Sequence, residues 1–155
     1  MSNFHSETSE SQKHPPQSHT AQQWSDSRLR HIKVELSSAN LLDLNGTPIE
    51  VIAAQGADTM IVLLNAYAFL DYGTGAYTAA NDLILRYESA AHTIIFDKSF
   101  LEEAADKYES CSFNTEQTLL ANTKIEAFSE SNPTLATGVT GGTVTIHLFY
   151  IVNDL

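Results

Sequence analysis

From Arg30 onward, apolar and polar side chains alternate with a period of two. In RHIKVEL, Ile32, Val34 and Leu36 fall on one side and His31, Lys33 and Glu35 on the other, the signature of a half-buried strand. PIEVIAA predicts a second strand. TMIVLLNAYAFLDY predicts a long third one, because its β-branched and aromatic members are flanked by the turn signals QGAD and DYGTGAYTAAND, which disfavour the competing buried helix. LILRYES sets Leu83, Leu85 and Tyr87 against Ile84, Arg86 and Glu88, and HTIIF continues the series. Two short strands are expected within SFNTEQTLLANTKIEAFSES. TVTIHLFYIV, apolar on both faces, predicts a central strand lying between two layers.

Helical signals are few. Ser37 or Ser38 can cap a short turn carrying Leu41, Leu42 and Leu44, with Asn45-Gly46 ending it by tolerance of positive φ. Asn45-Gly46-Thr47 also fits a glycosylation acceptor, but with no secretion signal it is read as a turn. DKSFLEEAADKY predicts the main helix, since Ser99 and Glu102 have capping-box spacing. Seven or eight strands joined mostly by turns place the chain in the all-β class, as an antiparallel β-sandwich.

Residues 1–27 follow another pattern. Ser, Thr, Gln, His and Pro dominate, with Phe4 and Trp24 as the large apolar groups, so this segment cannot bury enough surface to offset chain entropy. The expected organisation is a disordered or extended N-terminal arm over 1–27 and one domain over 28–155. The arm and its exit hold four of the six histidines, His5, His14, His19 and His31, at spacings too irregular for a preformed metal site. Phe4 and Trp24 suit partner anchors, with Arg28 and Arg30 beside them, although folding back onto the chain's own domain is an equal alternative.

At 155 residues and 43% hydrophobic content the chain can close one core, and a second is not expected. No apolar run reaches the roughly 18 to 20 residues of a membrane span, and the N-terminus lacks the order of a signal peptide, so a soluble product is expected. Three of nineteen acids and three of eight bases precede Ile32, which leaves the whole net charge of −11 on the remainder. Such a body repels phosphate backbones, and direct nucleic-acid binding is not expected.

Catalytic chemistry finds little support. Cys111 stands alone, without the partners of a disulfide or Cys-rich zinc site. YGTGAY and TGVTGGT lack the Lys-Ser/Thr of a P-loop and the third glycine of a dinucleotide fingerprint. Asp71, Asp82 and Asp97 lack calcium-loop spacing. His147, between Ile146 and Leu148, reads as a hydrogen-bonded core or interface residue rather than a general base. Glu102, Glu103, Asp106 and Glu109 read as a wet face or a rim for a basic partner. No catalytic residue, metal ligand or cofactor is assigned, and the chain is read as not an enzyme.

The stretch IKVELSSANLLDLNGTPIEVIAAQGADTMIVLLNAYAFLDYGTGAYTAANDLILRY carries, in order, the patterns L-x-S/T-A-x-x-L-x-L-N-x-T-P, A-A-x-G-A, Y-G-T-x-A-Y and L-x-L-x-Y. With the terminal GGTVTIHLFYIV, it resembles a group of small structural virion proteins of tailed bacteriophages, over most of residues 32–152. The resemblance implies a jelly-roll-like sandwich, commonly a homotrimer, that binds the major capsid protein or other virion proteins as capsid decoration or cement. Its expected location is the virion, assembled in the cytoplasm of the bacterial host. The unmatched segment Ser99 to Lys107 leaves the local architecture open. The alternative is a receptor- or glycan-binding module of a tail or head fibre, in which Tyr72 and Tyr77 stack on sugar rings from the DYGTGAYTAAND loop. A cupin-like enzyme, the third possibility weighed, lacks the two-histidine-plus-acid cluster.

Overall fold

The computed structural model describes residues 28–79, 81–90, 92–113 and 119–155. Phe4, Trp24 and the rest of the expected arm lie outside the described residues. In chain order the elements are β1 Arg30–Leu36, α1 Ser38–Leu41, β2 Ile49–Ile52, β3 Thr59–Asp71, β4 Leu83–Tyr87, β5 His92–Phe96, β6 Lys107–Ser110, β7 Ser112–Phe113, β8 Ile125–Phe128 and β9 Thr143–Asp154.

Two antiparallel sheets face each other, one ordered β1-β9-β3-β6 and the other β2-β8-β4-β5-β7. The β4-β5 hairpin is the innermost pair. Around it nest β3 with β6, β2 with β8, and β1 with β9. This is a long hairpin rolled over itself into two layers, the jelly roll. The expected all-β sandwich is the observed one.

The core lies between the sheets, and the alternation seen in the sequence delivers it. Leu36 from β1, Leu83, Leu85 and Tyr87 from β4, Ile125 and Ala127 from β8, and Val144, Ile146 and Leu148 from β9 are all buried. At roughly 25 cal/mol per Å² of apolar surface removed from water, each large aliphatic side chain here contributes about 1.5 to 3 kcal/mol. Tyr87 ties the layers together, its hydroxyl donating to the carbonyl of Ile61 on β3.

One irregularity organises a whole face. β3 pairs with β9 along its length, but the register shifts between Leu63 and Asn65, making Leu64 the extra residue of a β-bulge. Ile61 and Leu63 point inward before the bulge, and Ala66, Ala68 and Leu70 after it. Without that slip of one residue the second half of β3 would turn its aromatic residues Tyr67 and Phe69 into the core.

Two expectations need correction. DKSFLEEAADKY is not a helix: a single 3-10 turn at Lys98–Phe100, capped by the Asp97 carboxylate through the Ser99 N–H, gives way to bends and then β6. The acids that suggested a capped helix bond elsewhere, Glu102 accepting from the Ala79 N–H at 3.2 Å and Asp106 from the Tyr72 N–H at 2.9 Å. Second, β9 is central within its sheet but is not apolar-packed on both sides. Thr145, His147 and Phe149 are half-buried on the face away from the core.

The short helix forms as expected, with Ser37 as its cap accepting from the Asn40 N–H. Asn45 does not use positive φ. Its side-chain amide instead donates to the carbonyls of Ser129 and Glu130, pinning the turn to the segment after β8.

Candidate functional site: an aromatic and histidine face

The outward face of the β1-β9-β3-β6 sheet is built by register. His31 stands opposite Phe149 and Lys33 opposite His147 across β1 and β9. Tyr67 stands opposite His147 and Phe69 opposite Thr145 across β9 and β3, and Tyr108 of β6 completes the row opposite Phe69. The rings touch. Tyr67 stacks on His147 with centroids 4.5 Å apart and planes 9° from parallel, His31 stacks on Phe149 at 4.7 Å, and Phe69 meets Tyr108 at 4.5 Å. Cross-strand pairs of this kind each contribute a few tenths to about 1 kcal/mol.

Six rings therefore cover three strand-to-strand seams of one sheet. Tyr108 is 71% exposed and Leu64, thrown outward by the bulge, 45%. Further along the same face Val62 pairs with Ile151. The edge strand β6 sets Lys107 and Glu109 on the opposite, core-side row, where Lys107 pairs with Glu103 at 2.5 Å. Charges placed there discourage strand addition along that edge.

Within the face, His31 Nε2 and His147 Nδ1 lie 3.0 Å apart, one ring donating a hydrogen bond to the other. The His147 imidazole is held below its ordinary pKa, first by burial, then by the neighbouring His31 and by Lys33. Its proton affinity is thus lowered by its own sheet rather than raised by a carboxylate.

The opposite outer face is built from charges. Glu126, almost fully buried, accepts from Arg86 Nε at 3.0 Å and is 2.9 Å from Arg86 Nη2, while the guanidinium lies 3.5 Å over the Phe128 ring. Lys124 bridges Glu88 at 3.1 Å and Glu126 at 3.8 Å. The Glu88 hydrogen bond is the main cause holding the Lys124 ammonium above its usual pKa.

The residues singled out in the sequence fall as follows. Arg28 is exposed, and Arg30, also exposed, is held by its hydrogen bond to Gln55 at 3.0 Å. Tyr77 is 3% exposed and its hydroxyl donates to the Gly142 carbonyl at 2.6 Å, so its ring is not presented to a sugar. Tyr72 is half-buried. Its loop is zipped to the Thr/Gly-rich loop before β9: the Thr74 N–H donates to the Thr140 carbonyl, and the Thr140 N–H to Thr74 Oγ1. The approach is so close that a Cβ on Gly73 would lie 2.3 Å from the Thr140 carbonyl oxygen. These loops are a closed structural seam.

Cys111 is half-buried, and burial pushes its thiol above the usual range. Among the described residues no group of three or more His, Cys, Asp or Glu side chains is placed to hold a metal ion. No described helix is long and apolar enough to cross a membrane.

Sequence reasoning reaches Phe149 and Ile151 as an outward apolar strand face but not the whole ring ladder, because its members come from four strands distant in sequence. The available signal was the surplus of Tyr, Phe and His at outward positions of otherwise alternating strands. No protein-family model, no curated protein and no solved structure matches this chain.

Proposed function

We propose that this chain is a non-enzymatic structural protein of a bacteriophage virion, a decoration or cement protein whose jelly-roll body self-associates, as a trimer, and whose N-terminal arm engages the major capsid protein or another virion protein. The observation that carries the assembly part of this reading is the half-buried aromatic ladder on the outer face of the β1-β9-β3-β6 sheet, with Tyr108 and Leu64 exposed on it. Aromatic residues are enriched where protein surfaces meet, and an apolar sheet face that none of the described residues covers calls for a partner.

The dimensions suit this role. With strands about 4.8 Å apart and a rise of about 3.3 Å per residue, the outward face of β1, β9 and β3 spans several hundred Å², approaching the roughly 800 Å² per partner of a standard interface. A body carrying the net charge of −11 repels its own copies over much of its surface. On the aromatic face the charged side chains are Lys33 and Glu35 of β1 and Asp71 at the end of β3, so it carries few of the body's acids. The phage assignment draws on the resemblance in residues 32–152, and the arm's role on Phe4 and Trp24.

The test has two parts. Sedimentation of the full chain at micromolar concentration should give a trimer, and Tyr67→Ala with Phe149→Ser should give a folded monomer. Co-sedimentation with tailed-phage particles lacking the protein should show binding that is greatly weakened by deleting residues 1–27 and partly by Trp24→Ala. A monomeric parent chain removes the self-association part, and undiminished particle binding by the truncated chain removes the role of the arm.

A further inference from the structure

We propose that His31 and His147 form a two-imidazole site for a late first-row divalent cation, of the Ni²⁺, Cu²⁺ or Zn²⁺ class. The inference is independent of the virion reading, since it requires only the β1-β9 register.

The geometry carries it. His31 and His147 come from neighbouring antiparallel strands, one pair apart diagonally, and both point outward. Their facing nitrogens, Nε2 and Nδ1, are 3.0 Å apart. Metal–imidazole bonds of about 2.1 Å put two cis ligand nitrogens about 3.0 Å apart at a right angle and about 3.4 Å apart at the tetrahedral angle. The pair therefore already has the spacing of cis ligands on an octahedral or tetragonal ion and needs a few tenths of an ångström more for a tetrahedral one. That favours Ni²⁺ and Cu²⁺ over Zn²⁺, in line with the intrinsic preference of nitrogen ligands.

The surroundings restrict both rings. Tyr67 stacks on one face of His147 at 4.5 Å, His31 meets the edge of the His147 ring nearly in its plane with centroids 5.2 Å apart, and His31 rests on Phe149 at 4.7 Å. The His147 ring, already held by its stack on Tyr67, loses less rotational freedom on binding a metal than a free side chain does. Coordination requires the exposed His31 ring to turn so that both lone pairs meet at one point. The hydrogen now shared between Nε2 and Nδ1 moves to the other nitrogen of its own ring, so two neutral imidazoles bind without net loss of a proton. His31 lies on the edge strand, and the site opens from the β1 side even where the centre of the face is covered. Water completes the coordination shell.

The arm histidines could mask the result, so the titration uses the full-length chain with His5, His14 and His19 changed to Ala. Calorimetric titration with Ni²⁺ alone at pH 7.5 should show one ion per chain, and His31→Ala or His147→Ala should each weaken binding by at least about tenfold. Circular dichroism checks that each variant is folded. Should either lose its fold, the intact pair is read by NMR, where paramagnetic Ni²⁺ should broaden the His31 and His147 ring signals first. No binding by the arm-silent chain, unchanged affinity in a folded His147→Ala variant, or broadening centred on other residues overturns the site. Sedimentation of the same samples with and without Ni²⁺ reports self-association separately.

Discussion

On the outer face of the β2-β8-β4-β5-β7 sheet, Arg86, Glu126, Lys124 and Glu88 satisfy one another within the molecule, and Arg86 covers Phe128. On the outer face of the β1-β9-β3-β6 sheet, six rings lie against each other with Tyr108 and Leu64 still open to solvent. The first face is closed by internal pairing, as suits a face that serves the fold. The second, among the described residues, keeps Tyr108 and Leu64 open to solvent, as the proposed self-association requires. On the proposed reading, the two layers of this jelly roll divide stability and recognition between them.

The sharpest way to break this contrast is to unpair the charged face. Glu126→Ala leaves Arg86 half-buried without its carboxylate and should cost about 3 kcal/mol of stability, read as a lowered denaturant midpoint. Glu126→Gln, which keeps the shape and a hydrogen-bond acceptor, should cost less. If Glu126→Ala melts with the parent, the charged face does not specify the fold.

Next in size is the tie between layers. Burial raises the Tyr87 phenol to about 12 from an ordinary 10.0. Because the folded pKa is the higher one, the associated stability is complete below about pH 10 and is lost as pH rises from 10 towards 12, a fall on the order of 2 kcal/mol. Tyr87→Phe should remove this alkaline loss while costing about 1 kcal/mol at neutral pH, since the Ile61 carbonyl loses its donor. Unfolding followed against pH between 9 and 12 checks both, and an unchanged alkaline slope in the variant would assign the loss to another group.

On the aromatic face the expected order reverses. Tyr108→Ser should change monomer stability by less than about 0.5 kcal/mol, as befits an exposed surface position. The same change should weaken self-association measured by sedimentation. A large loss of stability with association intact would mean that the face serves the fold after all.

The smallest effect is a matter of salt. The Lys124–Glu88 bridge is partly exposed, so its influence on stability should fade with added salt, whereas association through the sparsely charged aromatic face should persist or strengthen as repulsion between acidic bodies is screened. Sedimentation at low and high ionic strength distinguishes the two, and association that weakens with salt would point to a charged interface instead.

Much of the fold was legible because the physical signal was local. Alternation in RHIKVEL is what a strand with one buried face must show, and LILRYES likewise turns Leu83, Leu85 and Tyr87 inward, although Ile84 on its other row is buried as well. The segment around Glu102 to Lys107 misled for an equally physical reason. Its Ala- and Glu-rich composition favours a helix, but Glu102 and Asp106 accept from the backbone of the β3–β4 connection, and Tyr108 pairs opposite Phe69, so tertiary bonds override propensity. The candidate site was the least legible part. His31 and His147 are 116 positions apart, and the phase of β3 changes at Leu64, so no window of sequence contains the face. Tyr77 misled the other way, since a loop tyrosine reads the same whether its hydroxyl meets a ligand or, as here, the Gly142 carbonyl.

The nesting of β1 with β9 has a consequence in time. β9 lies between β1 and β3 and supplies the long ladder to each, so neither can complete its sheet until the last strand has left the ribosome. At about 5 to 20 residues per second, the interval between the synthesis of β3 and that of β9 is several seconds, during which a thirteen-residue apolar strand waits without its principal neighbour. Contacts so distant in sequence also make for slow closure once the chain is free. The nascent protein should therefore depend on chaperone protection far more than its finished size suggests, with β3 as the segment to be shielded.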